Sequence, residues 1–336
     1  MDKQEMRGIY FASIVIPSYN NSKFIVEAIK SIFNQSYPRD KFEIIIVDDG
    51  STDDTRERVD GMRKSGSVSL RYFYQNNKGP AAARNLGIRN SRGEIIAFVD
   101  SDCVVSKTWL QEISRGYDNQ RVAGIGGTIR GIDDNSIINR YCVYVKIKER
   151  PKMDKTGIVY LITANASFRK CCLDDVGGFD ERYTFAGGED PDLCYRLRKM
   201  DYYFKYNPRA VIFNRHKKSL KGLANTYFHY GKGESLLVLK NKSEWDITRT
   251  FSIKWFFNFF KIPVIIVLMA IVNFIRFTLR LVKIPFKSLI YYSQGLDVKD
   301  SLSFSILDYV KDSSFKLGFS IGYILGMFKG FKNTPQ

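Results

Sequence analysis

Along the first hundred residues, short apolar runs alternate with apolar positions at helical spacing. Ser13-Ile14-Val15-Ile16-Pro17 is a β-branched run closed by proline and followed by a polar turn over 18–22, which predicts a buried strand. Phe24, Ile25, Ala28, Ile29, Ile32 and Phe33 then recur at helical spacing behind Ser22 as a cap, until Tyr37-Pro38 ends the pattern. Residues 42–47 predict a second strand, running into Asp48-Asp49-Gly50-Ser51-Thr52-Asp53, with Asp53 or Asp54 opening the next helix. Residues 70–74 predict a third strand and 95–99 a fourth; between them Gly79-Pro80 starts an alanine-rich helix with proline in a favoured first-turn position. Strand, loop and helix in this alternation predict a mainly parallel sheet flanked by helices, an α/β fold. Ligands of such sheets bind beyond the carboxyl ends of the strands. The loops 17–20, 48–49 and 100–102 should therefore converge on one crevice.

From 122 to 163 the pattern weakens, with Gly124, Gly126, Gly127, Gly131 and Gly157 as punctuation; mixed strands and loops are expected there, forming the acceptor-side half of the domain. Order returns with residues 165–169, the loop Gly177-Gly178-Phe179-Asp180-Glu181, and a helix over 191–200 in which Leu193 and Leu197 share a face. Beyond Trp245 the composition shifts. Residues 255–275 are apolar apart from Asn258, Lys261 and Asn273, with Pro263 inside the stretch. The length is close to the roughly 20 residues that span a bilayer, yet the uninterrupted part, 262–271, is too short. Arg276, Arg280, Lys283 and Lys287 follow directly. A second apolar stretch, 317–328, carries Gly318, Gly322 and Gly326 at every fourth position, a spacing that lets helices pack closely. Interfacial or re-entrant helices, a span, and a soluble helical subdomain all stay open. The expected organisation is a ligand-binding half over 1–105, an acceptor-side half over 106–245, and a helical, basic, membrane-associated region over 246–336.

Charge sharpens that division. The 336 residues carry a net charge of +17, but residues 1–214 contribute only +5 and residues 215–336 contribute +12. Basic and apolar character interleaved in one segment suits a cytoplasmic membrane surface rich in anionic lipid. Nucleic acid is the rival partner for a basic chain, and no nucleic-acid-binding motif accompanies the charge. Cys103, Cys142, Cys171, Cys172 and Cys194 show no C-x-x-C spacing, so free thiols in a reducing cytosol are expected rather than a zinc site. The first eight residues lack an apolar core of the kind a signal peptide needs.

Two segments carry the chemistry. Phe98-Val99-Asp100-Ser101-Asp102 closes an apolar run with two carboxylates one residue apart. Residues i and i+2 of a strand share a face but can be drawn to one point only where the chain turns, so Asp100 and Asp102 require the strand to end at Ser101. Two such carboxylates suit a hard divalent cation that shares its oxygen ligands with a substrate phosphate. Gly187-Gly188-Glu189-Asp190-Pro191-Asp192 opens the late helix; Asp190, directly before proline, reads both as a helix N-cap and as a carboxylate general base.

The ordered series Val15-Ile16-Pro17-Ser18-Tyr19-Asn20, Ile46-Val47-Asp48-Asp49-Gly50-Ser51-Thr52-Asp53, Asn77-Lys78-Gly79 with Ala83-Arg84-Asn85, Asp100-Ser101-Asp102, Gly177-Gly178-Phe179-Asp180 and Gly188-Glu189-Asp190 closely resembles the family 2 glycosyltransferases over roughly residues 10–216. The resemblance implies the GT-A fold and inverting transfer of a sugar from a nucleotide-diphosphate donor, with Mn²⁺ or Mg²⁺ as cofactor. It makes Asp49 a base or ribose contact near Pro17 and Tyr19, Arg84 a second nucleotide contact, and Gly178 part of the substrate-binding loop. It makes Asp100 and Asp102 the metal–diphosphate site, and Asp190 the catalytic base with Glu189 beside it. Some members complete the metal site with a later histidine, which here would be His216 in Asn214-Arg215-His216-Lys217. The Q-x-x-R-W element of processive members is absent, which favours transfer of one sugar per encounter. The reading is a membrane-associated transferase at the cytoplasmic face, acting on a lipid-linked or cell-envelope glycan. Its rivals are a catalytically silent nucleotide-sugar-binding subunit and a nucleotidyltransferase.

Overall fold

Each predicted strand alternates its side chains between two helical layers. In the computed structural model, which describes residues 9–65, 68–132, 136–145, 149–215, 219–240 and 283–328, the chain divides into two units. The first comprises residues 1–134 and 142–216. Its strands are β1 (Ala12–Ser18), β2 (Phe42–Asp48), β3 (Ser69–Tyr74), β4 (Ile95–Val99), β5 (Cys103–Val105), β6 (Val122–Gly131), β9 (Asn165–Arg169) and β10 (Tyr203–Asn214), in the order β3-β2-β1-β4-β9-β6-β10-β5. The first four are mutually parallel. β9 then runs antiparallel to both β4 and β6, β10 is parallel to β6, and β5 closes the edge antiparallel. A short hairpin of β7 (Lys152–Asp154) and β8 (Gly157–Tyr160) lies outside this sheet.

Alternation sorts the core. Ile14, Ile16, Ile44 and Ile46 face one layer, built from α1 (Ser22–Phe33), α2 (Thr55–Ser65) and α4 (Trp109–Ile113). Val15, Ile45 and Val47 face the other, built from α3 (Pro80–Asn90), α6 (Lys170–Asp175) and α7 (Glu189–Lys199). All seven side chains are fully buried, each contributing about 1.5–3 kcal/mol relative to exposure. The weakly patterned stretch resolves into the ten-residue strand β6 and the helix α5 (Ile137–Tyr144). Its glycines are packing positions rather than turns: a Cβ on Gly127 would collide with the Ala210 carbonyl and the Asn165 side chain. Asn165 fills that gap, donating to the Thr128 and Ala210 carbonyls at 2.8 and 2.9 Å and accepting from the Trp109 indole at 2.8 Å.

The second unit comprises residues 135–141 and 217–336. Its described helices are α8 (Leu220–Lys240), α9 (Lys283–Ser293) and α10 (Val298–Phe328). α8 and α10 run side by side in one direction: Gly318 rests on the Phe228 carbonyl and Gly322 against Lys232, which is the close packing that their spacing predicts. The apolar stretch 255–275, with Arg276 and Arg280, lies outside the described residues. Among those described, no helix is long and apolar enough to cross a membrane.

Candidate active site

The parallel strands end level with one another, because Ser18 pairs with Asp48 and Asp48 with Tyr74. The loops that follow are tied together. Asn20 N–H donates to Ser51 Oγ, and its Oδ1 accepts from Thr52 N–H, both at 2.8 Å; Asn21 Nδ2 donates to Ser101 Oγ at 2.6 Å. The three loops therefore gather at one edge of the sheet, where Pro17 is half-buried and Tyr19 exposed.

After β4 the chain turns at once: the Cys103 N–H donates to the Asp100 carbonyl at 3.0 Å, and Ser101 and Asp102 form the turn. Strand geometry ends where convergence of Asp100 and Asp102 requires. Asp100 keeps about a third of its side chain exposed, at 32 %, while an Asp102 oxygen lies 3.7 Å from the Cys103 thiol.

Arg84, on α3, links this turn to the start of α7. Its guanidinium donates to Glu189 Oε1 at 3.0 Å and to Asp100 Oδ1 at 3.3 Å, and stacks over the Phe179 ring at 5.6 Å. Burial works against its charge, but Asp190, Glu189 and Asp100 together outweigh that cost and hold it firmly cationic. Glu189 is buried, and its second oxygen accepts the Gly187 N–H at 2.6 Å. Both oxygens are thus engaged.

Asp190 is placed differently from the sequence expectation. The helix N-cap is Gly188, in a left-handed conformation with φ 94°, so Asp190 lies in the first turn and caps nothing. Its carboxylate crosses to the segment before β9, where Thr163 donates its hydroxyl at 2.7 Å to Oδ1 and its N–H at 3.0 Å to Oδ2. Burial and the neighbouring Glu189 carboxylate raise its pKa to about 6, against the pull of Arg84 and the two Thr163 bonds. The helix terminus does not dominate; desolvation does.

Other expected residues take supporting positions. Asp49 accepts from Gln75 Nε2, Lys78 N–H and Gly79 N–H at 2.7, 2.8 and 2.9 Å, so it fixes the 75–79 loop beside the strand ends. Gly178, with φ 72°, lies against Asn85, whose side chain bonds both the N–H and the carbonyl of Phe179 at 2.8 Å. His216 lies outside the described residues. Thr163 and Asn85 have no signature in the sequence as holders of Asp190 and of the glycine loop; only the folded sheet brings them there.

Residues 13–177 match the model of glycosyl transferase family 2. That segment is a family 2 glycosyltransferase domain. Glycosyltransferase AglE of Haloferax volcanii is 27% identical over 227 residues, covering 67% of this enzyme and 73% of AglE. Poly(ribitol-phosphate) beta-N-acetylglucosaminyltransferase TarS of Staphylococcus aureus is 26% identical over 163 residues, covering 48% of this enzyme and 28% of TarS. Across the first eight curated relatives it matches, the chain spans from 14% to 73% of their own length. Among solved structures, the mannosyltransferase PcManGT of Pyrobaculum calidifontis, in complex with GDP-Man and Mn²⁺, superposes with a TM-score of 0.55 at 22% identity, over 67% of this enzyme and 62% of PcManGT. That likeness establishes the shared GT-A fold. The sheet order is its expression in this chain.

The residues present suit a divalent cation of the Mg²⁺ or Mn²⁺ class. Among the described residues no group of three or more His, Cys, Asp or Glu side chains forms a ready-made cage. The donors at the β4 turn are the carboxylates of Asp100 and Asp102, a number that fits a cation completing its shell with substrate phosphate. Two buried polar atoms nearby, Ser18 Oγ and Arg84 Nε, have no partner among the described residues, as expected where a polar ligand supplies one.

Proposed function

We propose that this glycosyltransferase moves one sugar, with inversion, from a nucleoside diphosphate donor to a cell-envelope or lipid-linked glycan, using a divalent metal. The observation that carries the reading is Asp190. It is a single carboxylate with a pKa raised to about 6, oriented through both oxygens by Thr163. A general base works best with a pKa near the operating pH; at neutral pH Asp190 is mostly ionised and still basic enough to accept the proton of an acceptor hydroxyl. Glu189, buried and ion-paired with the buried Arg84, is not disposed to act as a nucleophile, whereas Asp190 is only half-buried. One base without a second reactive carboxylate supports direct displacement, in which the hydroxyl attacks opposite the leaving diphosphate.

Asp100 and Asp102 would hold the cation, which offsets the charge of the departing diphosphate. Arg84 keeps Asp100 and Glu189 in fixed relation, so the two halves of the site are braced by one buried guanidinium. The GDP-Man and Mn²⁺ of PcManGT and the poly(ribitol-phosphate) named for TarS support the donor, metal and acceptor classes. The +12 charge of residues 215–336 and the apolar stretch 255–275 support work at the cytoplasmic face of the membrane.

The test is a panel of UDP- and GDP-sugars with Mn²⁺, followed by assay of the released nucleotide and by NMR of the product's anomeric configuration. Release of nucleoside diphosphate with inversion is expected. Release of pyrophosphate, or a product that keeps the donor configuration, overturns the reading.

A further inference from the structure

We infer that the outward face of α10 lies on a membrane surface rich in anionic lipid. The inference rests on the membrane location proposed above and names the surface that makes the contact. A helix bathed in water turns its charged side outward and its apolar stripe inward. α10 departs from this: its inner side carries acids and serines beside Phe304 and Leu307, and its outer side is largely apolar. Asp300 and Asp308 are buried, as are Ser301 and Ser305. Asp300 pairs with Arg140 at 2.7 Å, and Asp308 accepts from the Tyr141 hydroxyl, from Tyr291 at 2.7 Å, and from Lys287 and Lys311 at 2.9 Å each. Its exposed apolar positions are Val298 at 71 %, Leu302 at 47 %, Ile306 at 43 %, Leu317 at 53 % and Leu325 at 42 %.

From Val298 to Leu317 these residues are separated by four, four and eleven positions. At about 100° per residue that spacing keeps them on one side of the helix. α9 adds exposed Leu289 and Ile290. Among the described side chains of α10, the exposed charged ones are Lys299 and Lys316, both basic; Asp297, exposed just ahead of the helix, accepts the Asp300 N–H at 2.7 Å. An apolar band with lysines on it matches a leaflet, where alkyl chains meet the band and anionic headgroups meet the ammonium groups. The sequence leading into α9 is itself basic, with Arg276 and Arg280.

The test uses the full chain and phosphatidylcholine vesicles with or without phosphatidylglycerol. Wild type should sediment with the anionic vesicles, and Leu302→Gln with Ile306→Gln should lower partitioning at least about tenfold, with donor turnover on a soluble acceptor preserved. Lys299→Gln with Lys316→Gln should lose about thirtyfold on anionic vesicles alone. In case the double glutamine variant fails to fold, Ile306→Trp provides a second measurement: its added indole fluorescence should be quenched by brominated lipid. Wild-type protein that ignores all vesicles overturns the membrane location itself. Wild type that binds, with Leu302→Gln/Ile306→Gln binding equally or the added fluorescence of Ile306→Trp unquenched, overturns the assignment of this face alone. A lipid-free dimer that the double variant dissociates also overturns it, in favour of a second copy as the occupant.

Discussion

Thr163→Val removes one hydroxyl and keeps the side chain's shape. The backbone N–H bond to Asp190 at 3.0 Å survives, and the hydroxyl bond at 2.7 Å is lost. A hydrogen bond to a charged group contributes about 1.5–3 kcal/mol, and about 1.4 kcal/mol corresponds to one pKa unit. The bond favours the ionised carboxylate, so its loss should lift the Asp190 pKa from about 6 to roughly 7–8. The base acts only when ionised, so the loss of turnover falls on the acid side. At pH 6 wild type is about half ionised and the variant about a tenth or less, whereas by about pH 9 both are ionised and only imperfect orientation separates them. The assay is kcat against pH with saturating donor, acceptor and Mn²⁺. The acid limb should move up by at least about one unit in Thr163→Val and stay in place in Thr163→Ser. An unmoved limb in the valine variant would refute the role of Thr163 and weaken that of Asp190 with it.

Arg84→Met leaves Glu189 and Asp100 without their shared cation, and should cost about 3–5 kcal/mol in urea unfolding; Arg84→Lys should not restore it, because an ammonium cannot reproduce two fixed N–H directions. Equal stability of wild type and Arg84→Met would remove the bracing role. Gly178→Ala puts a Cβ 2.5 Å from Asn85 Oδ1 at a φ of 72° and should lower stability by about 1–3 kcal/mol in thermal unfolding, with the donor KM raised; unchanged unfolding would show that the loop yields. Chelation should abolish turnover and Mn²⁺ should restore it, while Asp102→Asn should weaken Mn²⁺-dependent donor binding with the fold intact; full activity in chelator would exclude the metal.

The parallel half of the sheet was legible because each strand is a closed apolar run bounded by turn residues, as in 13–17 and 42–47, so period and boundary agree. The region 122–163 was not, because Gly124, Gly126 and Gly127 read as turn signals when they are places where neighbouring strands and side chains approach too closely for a Cβ. Local patterns also misplaced caps. Ser22 is the first residue of α1, behind Asn21, and Asp190 gives its oxygens to Thr163 instead of to its own helix. In both cases a tertiary partner competes with the local one. The motif carboxylates were visible as chemical types at strand ends, but their division of labour was not. That Asp49 holds a loop, Glu189 is locked and Asp190 is poised depends on donors from residues 26 to 105 positions away in sequence.

The central claim is that Asp190 is the base, and Asp190→Asn tests it most directly. Asparagine keeps the size and an oxygen for Thr163 while removing the basic group. Because the folded-state pKa is raised from 3.8 to about 6, the ionised carboxylate costs stability as pH rises through that window, and the cost is absent below about pH 4 where both states are protonated. The variant should therefore be at least as stable as wild type at pH 7, bind donor with unchanged affinity by calorimetry, and turn over roughly 10²-fold or more slowly. Turnover within a few-fold of wild type, with donor binding intact, would contradict the account.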